Sequence, residues 1–291
     1  MVKKYADLYL DARKAMLRTD GTYASTLARE LLCAASGKSR EAVIADRELY
    51  ASEEICLKME NLVRRHLAGE PMAYLLGQWD FYDMTLTVTP DVLIPRDDTM
   101  AVTELAVKKA LFLDQNPRIL DLGTGSGCIG LAVARRVPDA KVTLGDVSQA
   151  ALRVAKKNVA DLKLTGRVTC VPVDMKKPAA PFLGRFDLIV SNPPYVTTAE
   201  MEGLDVSVKD YEPRLALDGG EDGLDYYRAI AQNFTSALRP GGFLALEFGL
   251  GQENAVCSIL EEAGYTILEL KEDNSGIVRA VLARYGVEAD S

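Results

Sequence analysis

The chain has 291 residues, 48% hydrophobic and 26% charged, which is enough apolar material for one large core or two. No apolar run reaches the roughly 18 residues a membrane span needs, and the opening MVKKYADLYLDARKAML scatters its apolar residues among charges, unlike a secretory leader. The net charge is −8, and the acid excess lies wholly beyond residue 80: residues 1–80 hold 12 Lys+Arg against 12 Asp+Glu, the remainder 22 against 30.

Residues 1–70 read as helices. Leu27 and Leu31 share a face closed by Gly37, and Ser52 with Glu53 and Glu54 makes an N-terminal cap for a helix carrying Ile55, Met59, Leu62 and Val63. At Gly69 the texture changes. GEPMAYLLGQWDFYDMTLTV is rich in aromatic and β-branched residues, with turn signals at Gly77 and Asp83, and reads as a hairpin or short linker sheet. TPDVLIPRDDTMAV is then a loop entering a helix near Thr99. The expected division is a helical bundle over 1–75, a β-hairpin linker over 76–95 and a main domain over 96–291.

From Pro117 strands and helices alternate. RILDLG, KVTLGDV, RVTCVPVD and FDLIVS read as strands, and CIGLAVARRV and QAALRVAKKNVADL as helices. Residues 197–224 interrupt the rhythm with acids and glycines. DYYRAIAQNFTSAL is a helix expected to stop at Pro240-Gly241-Gly242, followed by the strand GFLALEFG and a helix over residues 252–263. YTILELKED and GIVRAVLARY flank a short turn and should pair antiparallel. The pattern is α/β: a seven-stranded, mostly parallel, Rossmann-like sheet with helices on both faces and an antiparallel end.

Two junctions carry chemistry. The first is Asp121-Leu122-Gly123-Thr124-Gly125-Ser126-Gly127, where glycines let a ligand approach the backbone. Nineteen residues past Gly127, Asp146 ends the second strand, where a carboxylate can accept from both hydroxyls of a ribose. The spacing is G-x-G-x-G, preceded by an acid. It suits a nucleoside cofactor with a positive amine and no pyrophosphate, such as S-adenosylmethionine (SAM). A nicotinamide dinucleotide and a purely structural turn are the alternatives.

The second junction is Ser191-Asn192-Pro193-Pro194-Tyr195-Val196, at the end of the fourth wound strand. That strand lies beside the first, where strand order reverses and ligands bind. Pro193 and Pro194 have fixed φ and no N–H, so their carbonyls are held rigidly. The side-chain carbonyl of Asn192 is a further acceptor. Two fixed acceptors can take both hydrogens of a planar NH2 group, and Tyr195 offers a wall to stack on. An amide nitrogen so held turns its lone pair toward the sulfonium methyl of SAM, and transfer by positioning leaves S-adenosylhomocysteine.

Together these motifs resemble the class I SAM-dependent methyltransferases acting on planar NH2 groups, and within them the HemK/PrmC family, the protein-(glutamine-N5) methyltransferases of peptide chain release factors. The resemblance extends through Gly69-Glu70-Pro71…Tyr74…Gly77…Phe81, Leu93-Ile94-Pro95-Arg96-Asp97-Asp98-Thr99, Tyr211-Glu212-Pro213 with Leu217 and Gly223, and Asp273…Gly276…Arg279. It implies as substrate the glutamine of the Gly-Gly-Gln (GGQ) loop of class-1 release factors. Asn192, Pro193, Pro194 and Tyr195 would then be catalytic. Gly123, Thr124, Gly125, Ser126 and Gly127 would lie along the methionine part of SAM, Asp146 at the ribose and Met175 at the adenine, with Asn192 also bordering the cofactor. The sequence departs from the family at Met100, where Glu is common, at Met175, where an aromatic is common, and around Phe182. Arg96 and Glu212 would shape the pocket mouth or form a surface ion pair.

The same Asn-Pro-Pro-Tyr logic serves adenine-N6 methyltransferases on a flipped base. Such an enzyme needs a basic channel, and here the acid excess sits in the catalytic part. A relic module that binds release factors without catalysis is opposed by the intact glycine turn, Asp146 and Asn192. Five cysteines (Cys33, Cys56, Cys128, Cys170 and Cys257) with no C-x-x-C pair read as reduced thiols, and the single histidine, His66, reads as a packing or surface residue, so no metal is expected. The expectation is a cytoplasmic monomer working on release factors, without direct nucleic-acid or membrane binding.

Overall fold

The computed structural model describes residues 2–286; Met1 and residues 287–291, which the expected third domain includes, lie outside the described residues. The chain divides into two compact units, one of Met1–Gln78 with Asp205–Tyr211, the other of Trp79–Leu204 with Glu212–Ser291.

In the first unit, helices Tyr5–Asp20, Ala24–Ser36, Arg40–Ala45 and Glu53–Leu67 surround a core that includes Met16, Leu31, Leu32 and Met59. Ser39 and Ser52 accept from the Ala42 and Ile55 amides and so satisfy two of the free N–H groups at helix starts. The stretch from Gly69 is not all sheet, because Met72–Leu76 forms a fifth helix. Pro71 precedes it with φ −58°, Gly77 closes it in the left-handed region, and Met72, Leu75 and Leu76 pack on the bundle core. Burial against that core overrides the strand-like composition. The distant segment Asp205–Tyr211 completes this unit: the Tyr211 hydroxyl donates to Ala68 O at 3.1 Å, and a Cβ on Gly69 would lie 3.1 Å from Val206 Cγ1.

The second unit opens with a hairpin, β1 (Gln78–Phe81) and β2 (Met84–Thr87). Phe81, Met84 and Leu86 belong to the same core as the large sheet, and the two compact units divide between Gln78 and Trp79. The sheet comprises β3 (Arg118–Leu122), β4 (Lys141–Asp146), β5 (Val168–Pro172), β6 (Phe186–Ser191), β7 (Leu238–Glu247), β8 (Tyr265–Glu272) and β9 (Val278–Tyr285). Their order is β5-β4-β3-β6-β7-β9-β8. β3 to β7 run parallel, and β9 inserts antiparallel between β7 and β8.

Strand alternation sorts neighbours onto two faces. Ile119, Leu188, Val190 and Ala245 join a core with helices Met100–Leu111, Cys128–Arg136 and Gln149–Asp161. Leu120, Ile189, Leu244 and Leu246 join another with helices Asp225–Asn233 and Glu253–Glu262. The expected long helix before Pro240 is shorter, ending at Asn233, and β7 begins ahead of that proline at Leu238. Pairing with β6 jumps from Phe186↔Leu238 to Leu188↔Phe243, so Arg239–Gly242 bulges out. Pro240 has no N–H for the ladder and Gly241 takes φ +72°, which a bulge accommodates.

Because Leu86 is fully buried in the sheet's core, Leu86→Ala is expected to cost about 2–5 kcal/mol in denaturant unfolding. A change within about 0.5 kcal/mol would mean the hairpin is only a connector.

Candidate active site

β3 and β6 lie side by side at the reversal of strand order, with Leu122 opposite Ser191. Two turns leave their ends. The first is the glycine turn. Gly123, Gly125 and Gly127 take φ of +65°, +54° and +89°, which only glycine adopts without strain. A Cβ on Gly123 would stand 3.0 Å from Met175 Cε. Beneath the turn is Asp121, 1% exposed, whose Oδ2 accepts from Thr124 Oγ1 at 2.6 Å and Gly130 N at 3.0 Å. Its other oxygen is buried with no partner among the described residues. Burial pushes its pKa up to about 7, against the hydrogen bonds from Thr124 and Gly130, which hold it down. Thr124 N donates to Gly145 O on β4 at 3.0 Å, and Ser126 O accepts from Asn158 Nδ2 at 2.9 Å.

Asp146 ends β4. Its Oδ2 accepts from Gly125 N at 2.9 Å and its Oδ1 from Ser148 N at 2.8 Å. Burial raises its pKa, and the Ser148 and Gly125 amides oppose that rise. Asp146 faces a cavity of about 330 Å³, within the usual range for small ligands. Gly123, Val147, Val173 and Met175 line one part of it; Asn192, Pro194, Leu215 and Tyr226 line another. The structure therefore gathers Gly123, Asp146, Met175, Asn192 and Pro194 around one space. Thr124, Ser126 and Gly127 lie outside the lining as support, and Gly125 holds Asp146 through its amide.

The second turn follows β6. Ser191 Oγ donates to Leu122 O at 2.8 Å. Asn192 is half-buried, and its Nδ2 donates to Thr99 Oγ1 at 3.1 Å. Its Oδ1 and the Pro193 carbonyl take no hydrogen bond from the described residues. Pro193 is buried and does not line the cavity, nor does Tyr195. The Tyr195 ring packs on the sheet's second core, so close to the backbone that a Cβ on Gly249 would be 3.0 Å from Cδ2, and burial pushes its phenol pKa up. The Tyr195 carbonyl accepts from Gln252 Nε2 at 3.1 Å.

The segment after this turn folds back on it. Val196 N donates to Leu217 O at 3.0 Å and Gly219 N to Val196 O at 2.8 Å. A Cβ on Gly219 would sit 2.8 Å from Pro194 O, which gives the glycines of this segment a physical reason. Glu212 is buried: it accepts from Ile94 N at 3.1 Å and pairs with Arg96, so this is an internal latch rather than a surface pair.

Two neighbours of Asn192 escaped sequence reasoning. Thr99 is 2% exposed, and Glu247, at the end of β7, is 1% exposed with Oε2 unpartnered among the described residues. Burial lifts the Glu247 pKa to about 8. Asp98 adds to the rise, while the Thr99 and Asn192 side chains and Arg279 counter it. The available signal was an acid closing the otherwise apolar run GGFLALEFG.

This strand order, with a glycine turn after the first wound strand, an acid ending the second and an antiparallel insertion beside the last, is the fold of class I SAM-dependent methyltransferases. The family models that match are the PrmC N-terminal domain over residues 9–77 and the methyltransferase small domain over residues 102–207. The release factor glutamine methyltransferase of Geobacter sulfurreducens is 39% identical over 280 residues, covering 95% of each chain. That of Clostridium acetobutylicum is 36% identical over 97% of this chain and 99% of its own. A solved methyltransferase from Pyrococcus furiosus shares the fold at 19% identity, with a TM-score of 0.51 over 78% of this chain and 100% of that one. The chain belongs to the release factor glutamine methyltransferase family. Among the described residues no helix is long and apolar enough to cross a membrane.

Glu247 also makes a stability prediction. With a folded pKa near 8 against an ordinary 4.5, the folded state holds the proton more tightly than the unfolded one. Its contribution is complete below about pH 4.5 and is lost as pH rises toward 8. Glu247→Gln removes the titration, so unfolding measured from pH 5 to 8 is expected to shift progressively in the variant's favour; a constant difference would contradict the buried, protonated acid.

Proposed function

We propose that this chain transfers the methyl group of SAM to the side-chain amide nitrogen, N5, of the glutamine in the GGQ loop of class-1 release factors. One observation carries the reading: Asp146 and Gly123 of the glycine turn share a single cavity with Asn192, whose carbonyl oxygen has no donor among the described residues. The residues present fit the cofactor. Asp146 offers a carboxylate for two ribose hydroxyls, Val147 and Met175 offer apolar contact for a base, and Gly123 brings bare backbone to the cavity. SAM, when bound, supplies an electrophilic methyl group on a sulfonium.

The protein's own part is binding and aim. Oδ1 of Asn192 and the Pro193 carbonyl receive the two amide hydrogens of the glutamine, Pro194 keeps the turn rigid, and the half-buried Tyr195 anchors its far end. Held this way, the nitrogen lone pair is directed rather than averaged over orientations. The extra proton is free to leave after transfer. The acid excess beyond residue 80 and the names of the relatives favour a protein amide over the amine of a nucleic-acid base. A translation factor as substrate places the reaction in the cytoplasm.

Incubation with isotope-labelled SAM and a purified release factor, followed by mass spectrometry, is expected to put the label on the GGQ glutamine. Label in co-purified nucleic acid and none in the factor would overturn the assignment. Asn192→Ala should lower turnover by about 10²-fold or more while leaving affinity for S-adenosylhomocysteine within several-fold. A short peptide carrying the GGQ sequence should be a much poorer substrate than the whole factor, because remote binding contributes to positioning; equal kcat/KM for the two would count against that.

A further inference from the structure

Two prolines leave the acceptor turn few ways to move. Each locks its own φ and the peptide bonds are planar, so the soft dihedrals of Pro193 and Pro194 are their ψ angles. The direction of the Pro193 carbonyl is therefore decided by what holds the two ends of the turn. The near end belongs to β6, where Ser191 Oγ donates to Leu122 O at 2.8 Å. The far end is Tyr195. Its carbonyl accepts from one donor among the described residues, Gln252 Nε2 at 3.1 Å.

Gln252 grips three loops at once. Its Oε1 accepts from Gly249 N at 2.9 Å, and its Nε2 reaches Gly223 O at 3.5 Å as well as the Tyr195 carbonyl. A backbone N–H on one side and two carbonyls on the other admit only one orientation of this carboxamide. Its own backbone is fixed, because it stands just ahead of helix Glu253–Glu262 and Val256 N donates to Gln252 O at 2.9 Å. Phe248 N donates to Arg279 O on β9 at 2.9 Å, so the chain reaching Gly249 is still tied to the sheet. The junction leaves no room for a further carbon. A Cβ on Gly223 would lie 2.4 Å from Tyr195 O and 2.7 Å from Gln252 Nε2, and one on Gly249 would lie 3.0 Å from both Gln252 Oε1 and Tyr195 Cδ2. The bonds that follow, Val196 N to Leu217 O and Gly219 N to Val196 O, run to a loop rather than to a strand of the sheet. Gln252 does not line the cavity, so whatever it does for the reaction it does through the turn.

We infer that Gln252 is a positioning residue: by donating to the Tyr195 carbonyl it pins the far end of the turn and so aims the Pro193 carbonyl, and with it the paired acceptor on Asn192, at the substrate. This rests on the reading of the turn as a clamp for a glutamine amide.

The test uses the full-length enzyme and whole release factor, scored by kcat, KM and calorimetric binding of S-adenosylhomocysteine. Gln252→Met keeps the length and removes both donor and acceptor. It should lower kcat by about tenfold or more, since a misplacement of about 1 Å costs about 10²-fold, with KM and S-adenosylhomocysteine affinity within about threefold. Gln252→Glu separates the two bonds. It keeps the acceptor for Gly249 N and sets a carboxylate oxygen against the Tyr195 and Gly223 carbonyls, so its kcat should fall at least as far as that of Gln252→Met. Gln252→Met should also cost less on an Asn192→Ala background than on the wild type, because both changes spoil the same pair of acceptors. A Gln252→Glu enzyme of full kcat would reduce Gln252 to a cap on Gly249 and overturn the inference. Losses fully additive with Asn192→Ala, or S-adenosylhomocysteine affinity that falls in step with kcat, would overturn it too, and each leaves the site reading intact. An Asn192→Ala enzyme with wild-type kcat would instead remove the amide-acceptor reading itself.

Discussion

The edge of the sheet is organised by one buried carboxylate, Asp121. From below the glycine turn it binds Thr124 and the amide of Gly130, so the turn and the helix that follows share an anchor. The stitching continues sideways. Thr124 bonds to Gly145 and Gly125 to Asp146, joining the turn to β4, while Ser191 bonds to Leu122 and joins β6 to β3. A reaction that depends on positioning needs such rigidity, because sub-ångström freedom in the acceptors would blur the direction of the attacking nitrogen. Gly130 shows how little slack exists: a Cβ there would lie 2.3 Å from Leu144 Cδ2 and 3.0 Å from Asp121 Oδ2.

The charges follow the same logic. Asp121, Asp146 and Glu247 are all buried, and burial raises each pKa. Acids kept in apolar surroundings are costly on their own and become favourable when a cation arrives. That is an environment suited to a sulfonium and an amine, the two positive groups of the proposed cofactor.

Much of this was legible in the chain because it rests on local patterns. Each wound strand is a short apolar run, the glycine turn directly follows the first of them, and Asp146 and Asn192 both stand where strands end. What was missed depends on contacts across long separations. Met72–Leu76 is helical because a core formed by other helices receives Leu75. β7 extends through Pro240-Gly241-Gly242 because β6 offers a partner on the near side of the bulge. Thr99 and Glu247 lie 148 positions apart in sequence and become neighbours of Asn192 only when the sheet has formed. Glu212, an ambiguous charge in the sequence, is a buried acceptor for the backbone of Ile94.

The helical unit borrows Asp205–Tyr211 from far down the chain, and this has a consequence for synthesis. A ribosome adds roughly 5–20 residues per second, so on the order of ten seconds separates the emergence of Gln78 from that of Tyr211. Throughout that interval Gly69 has no Val206 beside it and the Ala68 carbonyl has no tyrosine donor. The nascent bundle must wait, incomplete, until four strands of the large sheet have been translated. Its maturation is therefore timed by a stretch of polypeptide that a chain cut short at residue 78 would never contain.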